Sequence, residues 1–184
     1  MELLHLGTQR LETERLILRR FTVDDAQAMF RNWASDDAVT EYLAWPTHRD
    51  EGVSRGVLSD WVESYERDSY YTWAIELVGL DEPIGSIGAV RTDDDLRLVE
   101  IGYCIGKPWW NQGIVTEALQ ALTAFFIERV GINRIEATHV PQNPGSGRVM
   151  IKSGFRYEGT LRQRTLTHKG VFDAEMYALL AEDR

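Results

Sequence analysis

The residues best suited to chemistry lie between Val99 and Ala124, where Val-Glu-Ile-Gly-Tyr-Cys-Ile runs through Gly106-Lys-Pro-Trp-Trp-Asn-Gln-Gly into a long apolar-striped segment. Asn111, Gln112 and Gly113 make a short loop ahead of a helix, with Val115 and Thr116 in its first turn. A loop of this kind leaves the first backbone N–H groups without partners and sets the positive end of the helix dipole at its mouth. The chemistry on offer is anion binding, with a phosphate or pyrophosphate as the usual occupant. Gly113 would let the main chain approach the ligand, and Thr116 would add a hydroxyl donor. Alone the loop is a weak sign, because most such turns bind nothing. Cys104 offers a covalent nucleophile, yet a lone cysteine in an apolar strand is more often core. His139 offers a base at the end of a strand, where histidines more often pack or bond locally. No His, Cys, Asp or Glu cluster has metal-ligand spacing, and no metal is expected.

The elements that must position these groups follow from periodicity. Val99, Ile101, Tyr103 and Ile105 alternate onto one strand face, and Glu100 points the other way. Val115, Ala118, Leu119, Leu122, Phe125, Phe126 and Val130 form one helical stripe, closed by Gly131 as its C′ residue. Upstream, Thr13–Phe21 reads as a strand, and Thr22 opens a helix with Asp24 and Asp25 in its first turn. A second helical stretch covers Asp37–Leu43, and a third begins at Thr47. Their aromatics, Trp33, Tyr42, Trp45 and Trp61, read equally well as a packed cover or as a wall of a substrate cleft. Tyr71–Val78, Ile84–Arg91 and the strand of Glu100 make an antiparallel meander joined by polar turns. Arg134–Val140 should lie parallel to the Glu100 strand, since a helix connects the two. Asn143 caps a short helix with Pro144 at its first position. Phe155–Arg164 and Val171–Leu180 close the chain as strands. The order is that of a mixed α/β sheet in one domain spanning residues 1–184.

Composition narrows the function classes. A net charge of −9 argues against a nucleic-acid binder. No apolar run approaches the length of a membrane span, and the N-terminus lacks the basic-then-apolar order of a signal peptide. The single cysteine excludes an internal disulfide and fits a reducing, cytoplasmic setting.

The order of elements together with Trp110-Asn-Gln-Gly-Ile-Val-Thr-Glu-Ala118 resembles the GNAT superfamily of acyl-CoA-dependent N-acyltransferases. Thr13-Glu-Arg-Leu-Ile-Leu-Arg19, Glu100-Ile-Gly-Tyr103, Asn143-Pro-Gly-Ser-Gly-Arg-Val149, Ser153-Gly-Phe155 and Glu158-Gly159 narrow the resemblance to its RimJ/RimL-like branch, whose namesakes acetylate ribosomal-protein N-termini. The resemblance implies a single-domain, mostly antiparallel sheet with a central, splayed parallel pair, flanked by helices. It implies acetyl-CoA as cosubstrate, with its pyrophosphate on the amides of Asn111, Gln112, Gly113, Val115 and Thr116. The pantetheine arm would pair with the strand edge at Tyr103, Cys104 and Ile105, and Asn143 would hydrogen-bond it where the next strand splays away. Trp110 and Val115 depart from the superfamily pattern of Gln or Arg at the first loop position and Gly or Ala at the last.

Direct transfer to an amine needs a base, an oxyanion donor and help for the departing thiolate. Glu100 is the first candidate base and Glu158 the second. Many family members carry a tyrosine four residues before the Gly-Phe pair as acid; Met150 stands there, and Ser146 is the expected replacement. The resemblance implies a protein or peptide N-terminus as acceptor, with a small amine such as an antibiotic or polyamine as the alternative. A binding module without turnover is the third reading. Members of the family often form homodimers.

Overall fold

The computed structural model describes residues 3–184. Eight strands form one sheet: β1 (Leu11–Glu12), β2 (Leu16–Arg19), β3 (Thr72–Leu77), β4 (Pro83–Asp93), β5 (Leu98–Ile105), β6 (Arg134–His139), β7 (Arg156–Thr167) and β8 (Gly170–Leu180). Their spatial order is β1-β2-β3-β4-β5-β6-β8-β7, and only β5 and β6 run parallel. The expected meander and its parallel partner are both present.

Helix α4 (Ile114–Phe125) lies on one face, because its whole predicted stripe is buried against Leu16, Leu18, Trp73, Ile75, Val99 and Ile135 of the strands. Tyr71 and Trp73 meet Phe125 and Phe126 edge-on there, with ring centroids 5.0 to 6.1 Å apart, each pair adding about 1 kcal/mol beyond its area. After α4 the chain continues in a wider turn to Val130, and Gly131 (φ +86°) ends it as anticipated. The opposite face carries α1 (Ala26–Met29), α2 (Asp37–Thr40) and α3 (Glu51–Ser64) over a second core of Phe21, Met29, Trp33, Leu58 and Ala74. Helix α5 (Pro144–Lys152) packs Val149 and Met150 beside α4.

Two helices are shorter than their periodicity suggests. Asp36 caps α2 by accepting from the Ala38 N–H, and Leu43 N–H turns back to the Thr40 carbonyl, so residues 41–43 leave the helix and form a rim. Asp50, rather than Thr47, caps α3, accepting from Val53 N–H at 3.1 Å; Thr47 instead bonds Asp37 and Thr40.

The feature that positions everything else is the end of the β5–β6 ladder. The strands pair at Leu98–Arg134, Val99–Ile135 and Glu100–Glu136, and no further. Beyond that point β5 stays with β4 through Ile105–Gly85, while β6 stays with β8 through His139–Glu175. A register shift between Ala89 and Arg91 of β4 lies opposite Glu100 and Ile101. Such a bulge bends its strand and deepens the twist, which draws β5 away from β6.

Candidate active site

Where β5 and β6 part, a cleft of about 610 Å³ opens between the start of α4, the start of α5 and the rim 41–43. A smaller recess of about 140 Å³ lies beside it, bordered by Thr138, His139 and Thr165. Tyr42, Leu43, Tyr103, Asn143 and Ser146 face both spaces, so they mark the junction.

Asn111 to Thr116 all line the larger cleft. Asn111 (φ +60°) and Gly113 (φ +76°) are both left-handed, a curl that turns successive amides toward one concavity. Gly113 is the N-cap of α4 and gives it no side-chain cap, so the first-turn amides of a twelve-residue helix face the cleft without that partner. Few residues other than glycine hold this φ.

The turn is fixed from outside by groups the sequence reading passed over. Arg15 Nη1 donates to the Gln112 carbonyl at 3.1 Å, while Arg15 Nη2 reaches the Glu117 carboxylate at 2.6 Å. Thr13 Oγ1 and the Arg15 main-chain N–H also donate to Glu117. Burial opposes the charge on Glu117, but these donors outweigh it and hold the carboxyl below its ordinary range. An acidic residue in the first turn of α4 was the only signal in the sequence. On the inner side, Trp110 Nε1 donates to the Ile105 carbonyl at 2.8 Å, tying the loop to the end of β5. The tryptophan that departs from the family pattern is therefore a brace.

Tyr103, Cys104 and Ile105 line the cleft along the β5 edge that β6 has vacated. Asn143 caps α5: its side-chain oxygen accepts the Ser146 N–H at 3.4 Å. The Tyr103 hydroxyl lies 2.9 Å from Ser146 Oγ and donates to the Ser146 carbonyl at 3.0 Å. Burial pushes this phenol above its ordinary range. The sequence reading treated Tyr103 as main chain alone and missed this contact.

Glu100 is half-buried at the last rung of the parallel ladder, and Thr138 Oγ1 donates to it at 3.4 Å. Thr138 borders the smaller recess, so Glu100 stands one hydroxyl away from it. Glu158 is a correction. It is exposed on β7, where Arg134 Nη1 and Nη2 donate to its carboxylate, and it borders neither cleft nor recess. Those bonds hold its carboxyl below the usual range, the opposite of a poised base. Its place is explained by the register shift at Tyr157–Gly159, which turns it toward the start of β6.

His139 is buried with Nδ1 2.8 Å from the Val140 carbonyl and Nε2 3.1 Å from Glu175, the latter out of line for a hydrogen bond. It stacks on Tyr177 and serves the packing under α5. The Cys104 thiol is pushed up by burial and sits 3.3 Å from Ser86 Oγ, which makes it a poor nucleophile. Of the aromatics left open between cover and wall, Tyr42 borders the cleft; Trp33 and Trp61 pack around Phe21, and Trp45 lies on His48. Among the described residues no group of three or more His, Cys, Asp or Glu could hold a metal ion, and no helix is long and apolar enough to cross a membrane.

This arrangement coincides with a family model. Residues 15–156 match the model of the acetyltransferase (GNAT) domain. The chain belongs to the GNAT acetyltransferase family. Within that family it is 31% identical, over 92% of this chain and 96% of the other, to the uncharacterized N-acetyltransferase YoaA of Bacillus subtilis. It is 31% identical to the ribosomal-protein-serine acetyltransferase of Escherichia coli, over 56% of this chain and 58% of the other. Among solved structures, RimL, a ribosomal α-N-protein acetyltransferase in complex with coenzyme A, superimposes with a TM-score of 0.83 at 21% identity, over 96% of this chain and all of that one. That likeness is one of fold. This GNAT chain is an acyltransferase, with the mixed sheet and splayed pair that the resemblance implied.

Proposed function

We propose that this GNAT enzyme transfers the acetyl group of acetyl-CoA directly to a primary amine, with the N-terminus of a protein or peptide as acceptor. The observation that carries the reading is the parting of β5 and β6 immediately beyond Glu100, which joins an anion-receptive cleft to a recess bordered by Thr138. The fit to acetyl-CoA rests on the left-handed turn at Asn111 and Gly113, whose amides suit a diphosphate, with Val115 and Thr116 continuing the same row. The edge at Tyr103, Cys104 and Ile105, vacated by β6 and touched only where Trp110 meets the Ile105 carbonyl, suits the amides of a pantetheine arm, and Asn143 stands at the junction to meet it.

In the reaction the amine nitrogen bonds to the acyl carbon and loses a proton to Glu100, through Thr138 or a water. An N–H of the β5 edge meets the oxyanion. The carbon–sulfur bond then breaks, sulfur keeps the electron pair beside Ser146 and takes up the released proton, and the products are an amide and a free thiol. The raised Cys104 thiol favours this route over an acyl-enzyme. The E. coli relative, named for a ribosomal-protein serine, supports a protein N-terminus over a small amine. A panel of N-terminal peptides, aminoglycosides and polyamines, read by thiol release, tests the reading. Turnover is expected with peptides, and turnover confined to small amines would reassign the acceptor.

A further inference from the structure

We propose that the Tyr103 hydroxyl is a positioning group for the departing thiolate, holding Ser146 so that its hydroxyl hydrogen points into the junction between cleft and recess. This rests on the acetyl-transfer reading above and adds a residue to it.

Acyl transfer happens where donor and acceptor meet, and five residues border both spaces. Leu43 carries no polar side-chain atom. Asn143 has its carboxamide oxygen committed to the Ser146 N–H. Met150, one turn further along α5, is buried in the core. Tyr42 stands on the rim, and Tyr103 and Ser146 form a coupled pair whose hydroxyls meet at 2.9 Å.

Counting protons shows why the pair differs from a lone serine. The phenol has one proton and two acceptors within reach, the Ser146 carbonyl at 3.0 Å and Ser146 Oγ at 2.9 Å. When it donates to the carbonyl, the serine can return its own proton to the phenol oxygen. When it donates to Oγ, the serine proton is released to point elsewhere, and both residues border the junction. The exchange needs only a rotation of two O–H bonds. It delivers a hydrogen-bond donor as negative charge develops on sulfur, and chained hydroxyls polarise one another. Removing the phenol hydroxyl leaves Ser146 free to bond its own helix backbone, the usual habit of a first-turn serine. The phenol's place below α5, in surroundings that disfavour its ionised form, keeps its proton on oxygen throughout.

The test is steady-state kinetics on Tyr103→Phe, Ser146→Ala and the double variant, with acetyl-CoA affinity measured by calorimetry. Ser146→Ala is expected to lower kcat about a hundredfold and Tyr103→Phe about tenfold, in the range of a single proton-handling group. The KM and Kd for acetyl-CoA should stay within about twofold, and the double variant should match Ser146→Ala. Replacing Tyr103 by 3-fluorotyrosine, which keeps the hydroxyl, should restore kcat. If Tyr103→Phe does not fold, 4-fluorophenylalanine at position 103, which fills the space of the hydroxyl without donating, takes its place and should show the same loss of about tenfold. Wild-type kcat in Tyr103→Phe, losses that multiply in the double variant, or a loss confined to KM would each overturn the proposal while leaving acetyl transfer intact. A wild-type protein that binds no acetyl-CoA would overturn both.

Discussion

The two walls of the cleft are made of different material. The α4 wall is main chain: a left-handed turn at Asn111 and Gly113 and a row of helix amides, braced by Arg15 and Trp110. The opposite wall is side chain and tertiary contact. Its rim, residues 41–43, has left α2 and is held by the β7–β8 turn, where His168 N–H donates to the Leu43 carbonyl at 3.1 Å and Lys169 reaches Glu41 at 3.4 Å. The turn of the first wall is specified by residues close in sequence, with Arg15 bracing it from 97 positions away; the second is assembled from segments separated by 125 positions and more. A surface built from amides tolerates changes of side chain and suits a constant ligand. A surface built from side chains changes with each substitution and suits a ligand that differs between relatives.

If that division is right, the largest effect should come from the seam between the walls. Glu100→Gln should lower kcat by about 10² to 10³ with a peptide acceptor, the range of a lost general base. The Kd for acetyl-CoA, read by calorimetry, should be unchanged. The next effect belongs to the amide wall. Gly113→Val places a β-branched residue at φ +76°, which costs about 1–3 kcal/mol. Acetyl-CoA should then bind about a hundredfold more weakly. Because the strain is local to a turn at the start of α4, the acceptor KM at saturating acetyl-CoA should move much less. A Gly113→Val variant with wild-type affinity would sink the amide-wall account.

The same division explains what could be read from the sequence. The α4 stripe, Gly131, the Asn143 cap and the parallel pairing of the strands on either side of α4 were all legible, since each depends on periodicity or on a rule about neighbouring elements. The glycine turn at 111–116 leading into α4 was legible because backbone geometry has a local signature. Glu158 was misplaced: sequence puts it just past Gly154-Phe155, but a register shift and Arg134 draw it away, and neither is visible in a linear string. The Tyr103–Ser146 pair spans 43 positions and the Arg15–Glu117 clamp 102, so only the fold brings them together. Trp33, Tyr42, Trp45 and Trp61 could not be sorted from sequence because burial and cleft-lining leave the same composition.

Glu117 sharpens the comparison further, since it supports the amide wall without touching a ligand. Its side chain is 20% exposed, and its carboxyl lies below the ordinary range. A depressed carboxyl adds stability that is complete above its unfolded value of about 4.3 and fades as pH falls through the folded value. Glu117→Gln should therefore melt lower than wild type at pH 7, by an amount equivalent to about 1 kcal/mol. The gap should close as pH drops below about 4, and scanning calorimetry across that window measures it. The acetyl-CoA Kd should rise about threefold to tenfold in parallel, because the clamp holds the Gln112 carbonyl and with it the turn. A gap that widened in acid would reverse the assigned role of this carboxylate.

The smallest effect is the one that separates the walls most cleanly. Lys169 and Glu41 are both about half exposed and 3.4 Å apart, so their pair contributes under about 0.5 kcal/mol to folding. Lys169→Ala should leave the melting temperature within about one degree, because the main-chain bond from His168 to Leu43 still holds the rim. What changes is how firmly the rim beside Tyr42 is held, and Tyr42 borders the junction. The KM for a peptide acceptor should rise about twofold to threefold, an effect that salt reproduces in the wild type by screening the pair, while the KM for acetyl-CoA stays put. An equal rise in both constants would mean that the two walls move as one body, and the distinction drawn between them would fall.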